Sequence, residues 1–467
     1  MLAGEPWGLP AGTAIVQSWT SGALRANVRR RDLWAQDTLT LGALTANVGV
    51  RYDLQTAGGP VADRAIRGES VSPRLGLTYG LGSDRRTLLR ASASRFATQL
   101  DAGLVERLRS GAPSAAWSFF ADANGDLALD GAEAGSLRFW VPMGFDPALP
   151  AGASPYAVDP RLRPETTDEL LLGVEHAFRR DFAVGLHGTY RRVDGILERR
   201  LLVRDAASGA VFTPTRDDWV PAGAVSGTLP GSASYDVPYY DLRPGLAPTG
   251  GDLLVNGDRR QDVLGASLDW EKRLADRWMT RGRLSWQSWT WRLGPNFRRF
   301  DDPTNALGSG DDEGAPVAPA AASPDSAAPF DAARTSGLYL DARWSLDLAG
   351  LVQLPHAFNL AAEISGRQGF PIADYREVAR PNAGPALVQI TPVGARREGD
   401  LLTLAARLDR EITFHQVVLD LSLEAQNLLG AGTVLRRETN LGATRAGATD
   451  EVLAPRTFRL GVRVSWR

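Results

Sequence analysis

The stretch Pro455–Trp466 (PRTFRLGVRVSW) alternates between apolar residues and polar or small residues. Its two sets are Phe458, Leu460, Val462, Val464 and Trp466 against Arg459, Gly461, Arg463 and Ser465. Because a β-strand repeats every two residues, one face of this strand is wholly apolar and the other is polar. A strand with one lipid-compatible face and one water-compatible face is typical of a transmembrane β-barrel.

The same alternation recurs along the chain. Clear examples are Leu44–Leu54, Arg74–Leu81, Thr167–Phe178, Leu340–Leu348 and Val417–Asn427. Many such runs exceed the usual strand of soluble proteins and fit the roughly 9–11 residues of a tilted membrane strand. The sequence therefore predicts an all-β fold, an antiparallel transmembrane β-barrel that is partial, with about 13–14 strands present.

The connections between these strands alternate in length. Short turns are predicted at Gly42, Gly82–Arg86, Arg179–Asp181, Ala275–Arg277, Pro355–Ala357 and Thr413–Gln416. Longer connections are predicted at 55–73, 97–166, 201–258, 294–339, 369–400 and 429–454. Short turns on one rim and long loops on the other indicate periplasmic turns and extracellular loops, so 1–467 is read as one barrel domain. The low-complexity segment 308–333 is expected to be an external loop.

Composition excludes several classes of protein. The chain has 467 residues, a mean hydropathy of −0.19 and a net charge of −2, so no strong field attracts nucleic acid. Its lack of cysteine removes disulfides, thiolate metal sites and thiol nucleophiles. Four scattered histidines and the absence of G-x-S-x-G or P-loop motifs give no catalytic constellation, so no enzyme is expected.

Several phrases resemble one known family. They are Leu33–Thr38 with Leu44–Asp53, Ser72–Leu77 with Thr87–Ser92 and Arg95-Phe96, Asp159–Glu165 with Asp168-Glu169 and Leu172–Glu175, and Glu424–Leu429 with Pro455–Trp466. Taken in order, they resemble the C-terminal β-barrel of TonB-dependent outer-membrane receptors. The closest resemblance is to the large type whose members carry a carboxypeptidase-regulatory-like N-terminal domain.

The resemblance implies a bacterial cell outer-membrane location and energy-coupled uptake of a scarce ligand. Implied ligands are a siderophore, cobalamin, an oligosaccharide or a peptide, and implied partners are outer-membrane lipid and the TonB complex. Family barrels have about 22 strands and an internal plug. Plug and early strands are missing here, and Met1–Trp7 lacks signal-peptide features, so a receptor fragment is expected. The alternative is a plugless porin-like channel or a surface-adhesion barrel; a barrel-borne hydrolase is a third, weaker reading.

A fragment cannot close its sheet against its native partners. We therefore expect an open or strained sheet with Ala26–Thr38 near one free edge, and a closed barrel of about 14 strands would contradict this.

The strongest metal motif is Asp122–Glu133 (DANGDLALDGAE). Oxygen-bearing side chains stand at its positions 1, 3, 5, 9 and 12, which are Asp122, Asn124, Asp126, Asp130 and Glu133. Ca²⁺ prefers this set of oxygens, and Ala128 stands where a backbone carbonyl normally serves. Leu127 occupies the position where glycine is expected, although Gly125 is near. The sequence predicts either a calcium-stiffened loop or an acidic turn that binds no ion; no other cofactor is predicted.

Charged residues of the predicted inner face form a second group. They are Arg74, Arg90, Glu169, Glu175, Arg281, Arg283, Asp341, Arg343, Asp420, Glu424, Arg459 and Arg463. They either line a solute path or contact a plug, or they pair across strands as the ordinary polar face of the sheet. Aromatic residues near strand ends indicate either interfacial girdles or only the preference of aromatic residues for strands: Trp34, Tyr52, Tyr79, Tyr190, Trp270, Trp278, Trp289, Trp291 and Trp466.

Overall fold

A computed structural model gives the structure of the chain. It describes residues 2–3, 12–19, 27–58, 66–99, 115–143, 155–229, 233–293, 302–304, 327–329, 334–335, 338–339, 342–392 and 394–466. Asp341 of the predicted inner face and most of the predicted external loop 308–333 lie outside these residues.

Thirteen long strands form one antiparallel sheet in which spatial order follows chain order. They are β1 Asn27–Leu41, β2 Leu44–Gly58, β3 Ile66–Leu81, β4 Thr87–Ala97, β5 Thr166–Arg179, β6 Phe182–Asp194, β7 Arg259–Ala275, β8 Trp278–Leu293, β9 Trp344–Gln353, β10 Phe358–Arg367, β11 Leu401–Phe414, β12 Val417–Gln426 and β13 Thr457–Trp466. The short strand Ala327–Pro329 pairs with β8 off this path. The predicted all-β fold and strand number are confirmed.

The hydrogen-bond register keeps the two predicted faces separate across the sheet. On the polar face, Arg407 of β11 lies opposite Glu424 of β12, and Glu424 lies opposite Arg459 of β13. One residue earlier in β12, Leu423 pairs with Leu408 and with Leu460. Because one slipped residue would move every side chain to the wrong face, the alternating pattern itself fixes the register.

The apolar face of this sheet is exposed rather than buried in a core. Leu172, Leu264 and Leu460 are 54%, 52% and 78% exposed. A sandwich would bury such residues between two sheets, whereas a membrane barrel presents them to lipid. The face that carries them is therefore a lipid-facing outer face. In the described residues, no helix is long and apolar enough to cross a membrane.

The sheet is open. Within the described parts of the chain, β1 pairs only with β2, β13 pairs only with β12, and no ladder joins β1 to β13. Thirteen of the fifteen residues of β1 are exposed, as befits an edge strand. The expectation of a free edge near Ala26–Thr38 is confirmed.

The turns between strands adopt the predicted short form. His356 and His415 lie in them with φ of 62° and 54°. The predicted long connection 55–73 is wrong, because β2 extends to Gly58 and β3 begins at Ile66, so most of that segment is strand.

The prediction of interfacial girdles is wrong for Trp34 and Trp289. Trp34 lies opposite Arg51 and Trp289 lies opposite Val263, and these register positions belong to the inner face of the sheet.

Residues outside the main sheet form smaller sheets. One joins Leu2–Ala3, Thr13–Trp19, Ala115–Ala121 and Arg138–Met143; another joins Val211–Phe212, Leu197–Asp205, Leu246–Asn256 and Ala157–Val158. Two-stranded units are Trp219–Thr228 with Ser234–Leu242, Arg334–Thr335 with Leu338–Tyr339, Pro371–Ile372 with Arg396–Arg397, Tyr375–Val378 with Ala386–Gln389, and Val434–Arg437 with Thr449–Val452. Single 3₁₀ turns lie at Ala134–Ser136, Arg216–Asp218 and Pro355–Ala357.

Candidate functional site

The inner face of the sheet carries cross-strand ion pairs. Arg191 Nη2 lies 2.6 Å from Glu169 Oε2, and Arg90 Nη2 lies 3.3 Å from Glu175 Oε2. Pairs between residues of neighbouring strands are what an ordinary polar sheet face forms. Arg90, Glu169 and Glu175 were predicted for this face, whereas Arg191 was not. These two pairs lie at separate places on the sheet and do not converge on one point.

A charged groove interrupts this pattern on β7–β10. It has a volume of about 420 Å³, and its lining includes Asp269, Arg281, Arg283, Asp347 and Glu363. Arg283 forms an ion pair with Asp269, whose carboxylate also lies 3.6 Å from His187 Nε2. Both acidic and basic groups therefore face the same open space on the inner wall, where a polar solute can contact them.

The described parts of the connections 201–258 and 369–400, with residues 302–304, form one body, here called the loop canopy. Its core has two apolar clusters. In the first, Val203, Trp219 and Leu242 are buried, and Ala383 of the second loop contacts them. In the second, Val378 and Val388 are buried against Val225, Val237 and Tyr239 of the first loop. The two loops therefore share their cores and bury each other's apolar surface.

Buried polar contacts join the same loops. The Asp241 carboxylate, 4% exposed, accepts hydrogen bonds from the backbone N–H groups of Asn382 and Ala383 at 3.0 and 2.7 Å. Arg380 lies over the Trp219 ring at 5.4 Å, donates to the Tyr240 carbonyl at 3.2 Å and pairs with Asp302. Charge-assisted hydrogen bonds of this kind, formed away from water, fix one arrangement of the loops.

A third loop is attached through a bidentate pair. Arg437, in the connection 429–454, donates to both carboxylate oxygens of Glu398 at 2.7 and 3.0 Å. The hydrogen bond to Glu398 raises the pKa of the Arg437 guanidinium. This connection is thereby held against loop 369–400.

Two acidic residues of the canopy have shifted pKa values. Backbone N–H donors of Ser208 and Ala207, with Arg243, hold the pKa of Asp205 below its usual range. Burial raises the pKa of the Glu377 carboxyl. These groups lie in the long connections between strands, where they set the local charge of the canopy surface.

The predicted metal loop begins where the strand Ala115–Ala121 ends. The Asp122 carboxylate accepts hydrogen bonds from the backbone N–H groups of Gly125 and Leu127 at 2.9 and 3.2 Å. Gly125 and Leu127 both have positive φ, 73° and 58°. The chain therefore wraps around the first carboxylate, and Leu127 adopts the left-handed conformation that favours glycine.

The second half of this loop is closed by its last two acidic residues. Asp130 Oδ1 accepts from the backbone N–H groups of Ala132 and Glu133 at 2.7 and 2.9 Å. Glu133 is buried, and its Oε1 accepts from the Ala123 N–H at 2.8 Å. Among the described residues, no group of three or more His, Cys, Asp or Glu side chains is gathered closely enough to hold a metal ion. Calcium binding at Asp122, Asn124, Asp126, Asp130 and Glu133 therefore stays a prediction.

No sequence pattern indicates the canopy residues Asp241, Arg380 and Asn382. Each lies in a connection without periodicity, and their partners are separated by 78 to 142 positions in the chain. The one available signal was an acidic or basic residue flanked by apolar ones, as in Tyr239-Tyr240-Asp241-Leu242.

Comparison with known proteins identifies the barrel. Residues 5–214 match the family model of the TonB dependent receptor-like β-barrel. This part of the chain, which is somewhat less than half of it, is similar to that family. The match confirms the predicted resemblance and the bacterial outer membrane as the location.

Similar solved structures are outer-membrane proteins. The outer membrane transporter YddB from Escherichia coli is 13% identical, with 93% of this chain and 45% of that chain covered and a TM-score of 0.49. A ferric enterobactin receptor mutant (PfeA) from Pseudomonas aeruginosa is 13% identical, with 94% and 45% covered and a TM-score of 0.48. The FrpB iron transporter from Neisseria meningitidis is 8% identical, with 94% and 44% covered and a TM-score of 0.47. This chain spans less than half the length of each. No curated protein matches it.

Proposed function

We propose that this chain is the wall and outer-loop portion of an outer-membrane receptor for energy-coupled uptake of a scarce ligand. The observation that carries the proposal is the pairing of a lipid-facing sheet with an interlocked loop canopy above it. A canopy with a shared core presents a preformed surface, and a preformed surface loses little entropy on capturing a dilute ligand.

The ligand classes are those of the family: a siderophore, cobalamin, an oligosaccharide or a peptide. The charged groove on the inner wall, lined by Asp269, Arg283 and Glu363, supports a polar ligand that passes along the wall after capture. A TonB complex is the proposed energy source for the whole receptor. The matched family is one of receptors, and no enzymatic step is proposed.

The test uses the 467-residue chain directed to the outer membrane of a porin-deficient host. Surface binding and uptake of radiolabelled ferric siderophores, cobalamin, maltooligosaccharides and peptides are measured with and without an active TonB complex. Saturable surface binding of one class supports the receptor. A general rise in permeability to small sugars, with no saturable binding, supports the alternative of a plugless porin-like channel, and cell-to-surface attachment without either supports an adhesion barrel.

We further propose that Asp122–Glu133 binds Ca²⁺ and stiffens the loop 97–166. Support comes from the wrapping of the backbone around Asp122 and from the burial of Glu133. Calorimetric titration of the chain with CaCl₂ tests this proposal. We expect saturable binding that Glu133→Gln abolishes, since Ca²⁺ depends on a bidentate carboxylate at the last position. Asp217→Asn, in another loop, is the control. Equal heats for the Glu133 variant and the wild-type chain would overturn the calcium site.

A further inference from the structure

One group of charges lies on the outer face of the wall, where the neighbouring residues face lipid. Arg192 of β6 lies directly opposite Asp262 of β7, and both stand two residues above the paired Tyr190 and Leu264 of the apolar face. Across the next ladder, Arg260 of β7 lies opposite Arg292 of β8. We call these four charged residues, together with Tyr190, the outer-face arginine cluster.

The hydrogen bonds within the cluster centre on one buried carboxylate. Asp262, whose side chain is 8% exposed, accepts from Arg192 Nε and from the Tyr190 hydroxyl, both at 3.0 Å, and from Arg292 Nε at 2.5 Å. Arg260 Nε lies 3.9 Å from the same carboxylate and has no hydrogen-bond partner in the described part of the chain. Three guanidinium groups thus surround one carboxylate.

Charge is left over after this pairing. Three arginines against Asp262 leave an excess of two positive charges. Asp194, next on the same face of β6, reduces the excess to one if it is included. The arginine side chains are 36%, 41% and 49% exposed for Arg192, Arg260 and Arg292, so their remaining N–H donors reach the surface. A guanidinium carries five donors. Asp262 uses the Nε donor of Arg192 and of Arg292, and Arg192 Nη2 donates to the Tyr190 hydroxyl at 2.7 Å.

A neighbouring ion pair on the outer face carries no net charge. Arg95 of β4 binds both oxygens of Asp168 of β5, at 2.6 and 2.7 Å, and Asp168 lies opposite Arg192 in the ladder. The Arg95–Asp168 ion pair joins β4 to β5 and adds no net charge. The positive excess is therefore confined to the β6–β8 cluster.

The height of the cluster corresponds to the membrane surface. From Phe182 at the periplasmic turn to Arg192, β6 advances ten residues. At about 3.3 Å per residue and a tilt of roughly 40°, this is a rise of about 25 Å, which equals the height of the apolar band of such barrels. Exposed Leu186 and Leu264 fill the interval below. The cluster therefore lies at the level of the outer-leaflet headgroups, on the side of the long loops.

The geometry points to a binding site for a phosphorylated glycolipid of the outer leaflet, in which Arg192, Arg260 and Arg292 bind the lipid phosphate groups. Guanidinium groups bind phosphate through paired hydrogen bonds, and the exposed leucines below contact the acyl chains. Tyr190 places an aromatic ring at the interface between the two.

The test compares lipid binding by the full chain and by variants that keep side-chain length. Native mass spectrometry in detergent measures retention of diphosphoryl lipid A, dephosphorylated lipid A and phosphatidylcholine. We expect Arg260→Gln with Arg292→Gln to weaken binding of diphosphoryl lipid A roughly 30-fold, since two surface charges are lost. The difference between variant and wild type disappears with dephosphorylated lipid A.

The matched control removes two arginines from the inner face, Arg459→Gln with Arg463→Gln on β13, and is expected to retain lipid A. The pair Arg260→Lys and Arg292→Lys keeps the charge and is expected to recover most of the binding, which separates loss of charge from loss of fold. Equal retention by the glutamine variant and the wild type, or equal loss in the inner-face control, would overturn the site. Complete displacement by inorganic phosphate, with dephosphorylated and diphosphoryl lipid A retained alike, would reassign it to free phosphate. None of these outcomes depends on ligand uptake.

Discussion

The barrel wall and the loop canopy are held together in opposite ways. In the wall, each strand contacts its neighbours in sequence, and its outer side chains rest against lipid rather than against a core. In the canopy, Asp241 and Asn382 are 141 positions apart, and apolar residues of two loops share one core. A local two-residue repeat therefore suffices to specify the wall, whereas the canopy depends on contacts distant in the chain.

The largest predicted effect tests the two faces of the wall. Leu284 of β8 lies near mid-height on the outer face, between Leu268 and Leu346. Leu284→Arg should lower the free energy of unfolding in phosphatidylcholine vesicles by about 2–4 kcal/mol, because a charge is placed against lipid. Ser285→Arg, one residue further on the inner face, is the control and should cost far less. Equal losses from denaturant titration of the two variants would contradict the assignment of faces.

A smaller effect is predicted in the canopy. Asp241→Ala leaves the buried N–H groups of Asn382 and Ala383 without acceptors, which should destabilise the loops locally by about 2 kcal/mol. Hydrogen exchange should become faster in the peptides 234–242 and 375–389 and stay unchanged in β10–β13. The control is Asp236→Ala on the same hairpin, where the exposed carboxylate bonds Ser226. Unchanged exchange in Asp241→Ala would mean that the loops are held by their apolar clusters alone.

The same contrast explains what the sequence could predict. The strands that end at Phe414 and Trp466 and the turns at Gly42 and His415 follow from alternation and turn residues, which are local signals. The predicted ends of β2 and β3 at 55–73 are wrong because both strands continue beyond the apolar band, where polar residues interrupt the alternation. The outer-face cluster was overlooked for a related reason: Arg192 and Asp262 continue the apolar repeat, but only register shows that they are neighbours.

The metal loop is intermediate between the wall and the canopy. The sequence predicts the spacing of its oxygen-bearing residues but not its backbone conformation. Leu127 has φ of 58°, which is costly for a residue with a Cβ. Leu127→Gly should stabilise the loop by about 1 kcal/mol and strengthen Ca²⁺ binding about fivefold, as measured by calorimetry. Leu137→Gly is a matched control, because Leu137 is equally exposed but has φ of −57°. A gain in both variants would show that the left-handed conformation is not the cause.

The smallest effect distinguishes ion pairs of the wall from those of the canopy. Arg191 and Glu169 form a half-exposed pair on the inner face, whereas Arg437 and Glu398 form a less exposed, bidentate pair between loops. Double-mutant cycles with glutamine should give a coupling energy of about 0.5 kcal/mol for the wall pair and about 1–2 kcal/mol for the canopy pair. Salt should reduce the wall value further, because water and ions screen exposed charges. Equal couplings in the two cycles would mean that both regions rely on their surface charges to the same degree, and that the canopy owes its single arrangement to its apolar core.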